Sequence, residues 1–80
     1  MSNRDKYDKC FREAFELPED ADLLSLKYQS IEEWDSIGHM SLMSELEDAF
    51  NIEIKTEDLI RFESYTQGAT ILEIYSVELD

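Results

Sequence analysis

Residues 35–50 read Asp35-Ser36-Ile37-Gly38-His39-Met40-Ser41-Leu42-Met43-Ser44-Glu45-Leu46-Glu47-Asp48-Ala49-Phe50. At about 100° of rotation per residue, Leu42, Met43, Leu46, Ala49 and Phe50 gather on one side, while Ser41, Ser44, Glu45 and Asp48 gather opposite. That spacing is the pattern of an amphipathic helix running from Ser36 to Phe50. Asp35 is the expected N-cap, because its carboxylate can accept from the free amides of the first turn and its charge suits the positive end of the helix dipole. Ile37 and Met40 break the pattern. They fall off the apolar arc, toward Ser36 and Glu47, so two apolar side chains are expected at an exposed edge.

Upstream, Tyr7, Cys10, Phe11, Ala14 and Phe15 recur at spacings of three and four, which predicts a first helix over residues 3–16. It should stop near Leu17, since the residue before Pro18 is pushed out of helical geometry. Residues 17–35 lack a clean period yet carry Leu23, Leu24, Leu26, Tyr28, Ile31 and Trp34, too apolar a set for a free linker. A long loop of that composition is expected to be pinned to the core. Downstream of Asn51, the alternating Ile52-Glu53-Ile54 leads to Thr56, a candidate cap for a brief helix through Glu57-Asp58-Leu59-Ile60. Ser64-x-x-Gln67 is a capping box that should open a last helix, whose apolar residues Ile71, Leu72, Ile74, Tyr75 and Leu79 are expected to face the first two. Together these elements predict an all-α chain, with residues 1–80 as one domain.

Charge narrows the function. The chain has 20 acidic and 7 basic residues, a formal net charge of -13, and residues 31–63 alone hold 10 of the acidic and 2 of the basic ones. Such a field repels nucleic-acid phosphates and anionic membrane surfaces and favours basic protein partners. No apolar run approaches the ~18 residues of a membrane span, and the polar start Met1-Ser2-Asn3-Arg4-Asp5 is unlike a signal peptide, so a cytoplasmic address is expected.

Catalysis and metal binding find little support. A domain of this length buries only about 60% of the surface its unfolded chain exposes, which disfavours a deep catalytic cleft. His39 lies three residues after Ser36 on a similar helix face, but no glycine-rich nucleophile elbow or oxyanion cradle accompanies the pair. A partly exposed structural or partner-facing role is the expectation for His39, and no enzymatic activity is expected. With one His and one Cys, the chain cannot supply the usual soft ligands of a zinc site, and Cys10 reads as a buried structural thiol. Neither Asp20-Ala21-Asp22 nor Asp35-Ser36-Ile37-Gly38 continues into a calcium loop, so no metal is expected and the acidic residues read as surface charge. What remains is a serine at a helix start, a favourable seat for a phosphodiester.

The stretch Glu33-Trp34-Asp35-Ser36-Ile37-Gly38-His39-Met40 closely resembles the attachment motif of acyl carrier proteins, in which an Asp-Ser-Leu or Asp-Ser-Ile carries 4′-phosphopantetheine on the serine. The similarity continues in order. Leu46-Glu47-Asp48-Ala49-Phe50 with Ile52-Glu53-Ile54, then Thr56-Glu57-Asp58-Leu59 and Phe62, resemble the family's later segments, so that residues 31–75 are covered. The resemblance implies a four-helix acyl-carrier-like bundle with a long first loop and a short third helix, acting as a monomer. It implies that a phosphopantetheinyl transferase, using coenzyme A and magnesium, attaches the arm covalently to Ser36. Acyl-transferring and acyl-modifying enzymes of fatty acid, polyketide or related biosynthesis would then act on cargo held as a thioester.

The resemblance also implies roles around the serine. Asp35 would flank it at the transferase contact, Ile37 and Met40 would form an apolar docking patch, and Glu47, Asp48 and Glu45 would attract basic docking surfaces. Ser41 and Ser44 depart from the acidic and apolar residues usual in fatty-acid carriers, and Gly38-His39 is common in free-standing carriers of specialised pathways. A carrier outside or beside core fatty acid synthesis is therefore expected. An aminoacyl or peptidyl carrier, and a helical interaction module that never receives the arm, are the alternatives.

Overall fold

In the computed structural model, which describes residues 2–79, the Ser2 side chain accepts the Asp5 amide at 3.1 Å and opens helix α1 (Asn3–Phe15). The helix ends where Glu16 takes a left-handed conformation, φ 54°, and the Leu17 amide returns to the Arg12 carbonyl at 3.0 Å. Helix α2 spans Ser36–Phe50 and ends on a second left-handed residue, Asn51. A short α3 (Thr56–Arg61) and α4 (Tyr65–Ile74) complete an all-helical fold with no strand among the described residues. None of these helices is long and apolar enough to cross a membrane.

The helices enclose a core rich in aromatic rings. Tyr7, Phe11 and Phe15 from α1 meet Trp34 from the loop, Phe62 after α3 and Tyr65 from α4, with ring centroids 4.9 to 6.3 Å apart. Leu42, Met43 and Leu46 supply the α2 side, the arc predicted by their spacing. The loop of residues 16–35 is pinned as expected. Leu23, Leu26 and Trp34 are buried, and the backbone of Leu26 and Tyr28 bonds to Tyr65 and Glu63 at 3.1 and 2.8 Å around an isolated antiparallel bridge between Lys27 and Ser64.

Two details differ from the sequence reading. Thr56 does not cap α3: Lys55 occupies the N-cap with no side-chain bond, and Thr56 is already helical. The helix is held through Asp58, which accepts from the Tyr75 hydroxyl and from Arg61, while the Lys55 amide donates to the Tyr75 hydroxyl at 2.9 Å. Helix α4 ends at Ile74, so Tyr75 and Leu79 lie beyond it, with the Tyr75 hydroxyl bonded at α3, and Ile74 is exposed instead of facing α1 and α2. Tyr65, Gly68, Ile71 and Leu72 set the inner arc of α4, and at about 100° per residue Ile74 turns away from that arc. Ser64 does cap α4, accepting from the Gln67 amide at 3.0 Å.

Cys10 is buried, as its place in the helical pattern predicts. Burial, reinforced by the nearby Glu45 carboxylate, pushes its thiol from the ordinary 9.0 up to about 12. An acid whose pKa is raised by folding stabilises the fold fully below its unfolded pKa and loses that contribution as pH rises toward the folded value. Tyr65, pushed up from 10.0 to about 12 mainly by burial and by its bond to Asp8, acts in the same direction. Unfolding free energy, followed by urea titration, is therefore expected to be flat on the neutral side of pH 9.0 and to decline between 9.0 and about 12. A flat profile through that window would show that neither group is protected by the fold.

Candidate functional site

The approach to α2 is built by a glycine and a histidine. A Cβ on Gly38 would fall on the carbonyl oxygen of Glu33 and within 3.3 Å of the Phe15 ring, so only glycine lets the end of the loop lie across the first turn of α2. That placement buries Trp34 completely and brings its Nε1–H to His39 Nδ1 at 3.0 Å. Since Nδ1 accepts, the ring proton resides on Nε2, which donates to the Leu59 carbonyl oxygen in α3 at 2.8 Å. His39 is thus 9% exposed and ties the loop, α2 and α3 together. The role is structural, one of the two expected for His39, but the ring is buried instead of partly exposed, and with both nitrogens committed it holds neither free for Ser36.

Ser36 itself is exposed at the opening of α2. Asp35 accepts the Gly38 amide through Oδ1 at 2.8 Å and the His39 amide through its carbonyl at 2.8 Å, the predicted cap. Helical geometry gives the Ser36 and Ile37 amides no partner within the helix, so the serine sits where unpaired N–H groups and the dipole favour an anion. Beside it lies a groove of about 340 Å³ between α2 and α3, lined by Tyr28, Ser36, His39, Met40, Leu59, Ile60, Phe62 and Glu63. Ile37 and Met40 are 80% and 54% exposed, the off-arc placement predicted for them.

The three acidic residues expected beside this apolar pair do not form one group. Glu47 is half-buried, and its Oε2 accepts the Ile54 amide at 2.8 Å, securing the turn between α2 and α3. Glu45 and Asp48 line a different groove, of about 510 Å³ between α1 and α2, together with Lys6, Lys9, Cys10 and Glu13. Asp58, read as surface charge, is buried and bonded to Tyr75 and Arg61. Sequence reasoning also missed Ile60, 67% exposed on the groove wall opposite Met40. Its only signal was an apolar residue late in a six-residue helix, too short to show a period. Compared with models of protein families, with curated proteins and with solved structures, the chain matches none.

Proposed function

We propose that this chain is a non-catalytic acyl-carrier-like bundle that holds acyl intermediates as thioesters on a phosphopantetheine arm attached to Ser36. The observation that carries the reading is the setting of Ser36: an exposed hydroxyl at a capped helix N-terminus, opening on an apolar groove. These residues fit the group. Ser36 would hold the arm as a phosphodiester, with the first-turn amides of α2 favouring the phosphate charge. The arm would supply a terminal thiol for thioester chemistry. Asp35 keeps the first turn formed, and Ile37 and Met40 offer apolar contact beside the modified residue. Phosphopantetheinyl transferase and enzymes acting on the acyl group are the implied partners.

Incubation with coenzyme A, magnesium and a transferase of broad specificity is expected to add one phosphopantetheine, read by intact-protein mass spectrometry. Ser36→Ala should abolish the gain. No gain in the parent chain, or one that persists in the alanine variant, would overturn the assignment.

A further inference from the structure

Sulfur is divided unevenly between the core and the surface. Cys10 and Met43 are buried, whereas Met40, three residues before Met43 in α2, is more than half exposed. Among the described residues, Met40 is therefore the one sulfur-bearing side chain open to solvent. The Cys10 thiol, pushed up to about 12, offers little thiolate for an oxidant to attack. Met40 also stands four residues after Ser36, about one turn of helix, so the two side chains are neighbours on one face of α2. Both line the apolar groove toward α3, together with Ile60 and Phe62. A thioether sulfur is only a weak hydrogen-bond acceptor and competes little for the serine hydroxyl. Its sulfoxide is polar, and an oxygen placed there can accept from the Ser36 Oγ–H.

We infer that Met40 is an oxidative modification site, taking its oxygen from a peroxide, and that the resulting sulfoxide slows derivatisation of Ser36. The Sδ lone pair attacks one peroxide oxygen, and the O–O bond breaks as the S–O bond forms. With hydrogen peroxide the second oxygen leaves as water, so that sulfur is oxidised and the peroxide reduced by one electron pair. The product sets a polar acceptor beside the hydroxyl, on the lip of an otherwise apolar wall. Met43 is sealed in the core and meets the oxidant only when the fold opens. The consequence for Ser36 rests on the carrier reading and deepens it by naming a control on arm attachment.

The test treats the folded chain with hydrogen peroxide and follows each methionine by peptide mass spectrometry. Met40 is expected to oxidise about tenfold faster than Met43 or more, because the buried thioether reacts only through opening. In urea the two rates should converge. After removal of the peroxide, the oxidised chain should accept the arm from coenzyme A about fivefold more slowly than the untreated chain, the ratio set by one hydrogen bond of ordinary net strength. Methionine sulfoxide reductase should restore the rate, and Met40→Leu should load equally fast before and after peroxide. Circular dichroism melting curves matching the untreated chain would confirm that the oxidised chain is folded. Equal oxidation of Met40 and Met43 in the folded chain overturns the site. Selective oxidation with unchanged loading, or slowing that Met40→Leu shares, overturns the control on Ser36 while leaving the carrier reading intact. An untreated parent that is never loaded overturns the carrier reading and that control together.

Discussion

His39→Ala is expected to lower the unfolding free energy by about 3 kcal/mol, because it removes one ring and orphans the buried Trp34 N–H and the half-buried Leu59 carbonyl. The Trp34 indole N–H would lose its acceptor and the Leu59 carbonyl its donor. Each buried group left unsatisfied costs about 1–3 kcal/mol, and the space vacated by the ring adds to that. For a domain of this size the loss corresponds to a fall in Tm of roughly 12 °C or more. His39→Gln separates hydrogen bonding from packing, since its amide can both accept and donate. It should recover about half of the loss. Equal destabilisation of the two variants in urea titration would mean that the ring acts through its volume alone and that the bridge between loop and α3 contributes nothing.

This bridge marks the boundary of what could be read in advance. The register of α2 and the exposure of Ile37 and Met40 were legible because a helix repeats every 3.6 residues, so each position constrains the next. The pinning of the loop was legible from composition, because Leu23, Leu26 and Trp34 must be buried somewhere. The position of Ser36 followed from Asp35, whose side chain acts within a single turn. The burial of His39 could be read from the same period, since the residue falls between Leu46 and Phe50 on the apolar arc, but its hydrogen-bond partners could not. One of its partners lies 5 residues before it and the other 20 residues after it, a separation at which no local pattern operates.

The acidic residues failed for a related reason. Counting Glu47 and Asp58 as surface charge is the reasonable default for carboxylates. Their actual partners, the Ile54 amide and the Tyr75 hydroxyl, become neighbours only once α3 folds back against α2 and α4. The grouping of Glu45, Glu47 and Asp48 was likewise a grouping along the chain. Once α1 is packed on α2, Lys6 and Lys9 line the same groove as Glu45 and Asp48, while Glu63 after α3 lines the groove that opens beside Ser36.

The two glycines give the second large effect, and its sign is decided by packing. Alanine is favoured over glycine inside a helix by about 1 kcal/mol, so local propensity predicts that Gly38→Ala and Gly68→Ala both stabilise. A Cβ on Gly68, however, would overlap the Phe62 ring and the Tyr7 hydroxyl. Both side chains are fully enclosed, and the Tyr7 hydroxyl donates to the Tyr65 carbonyl at 2.6 Å. Overpacking costs about 1–3 kcal/mol and displacing that buried hydrogen bond costs a similar amount. Gly68→Ala is therefore expected to destabilise by a net of about 3 kcal/mol. At Gly38 the obstacle is the Glu33 backbone, which cannot rotate aside as a side chain can. The net loss there should be no smaller than at Gly68 and should come with slower transfer, since the segment that must shift carries Trp34 and Asp35 into α2. If either alanine variant unfolds at the same urea concentration as the parent or a higher one, the close approach at that glycine is not a constraint on the fold.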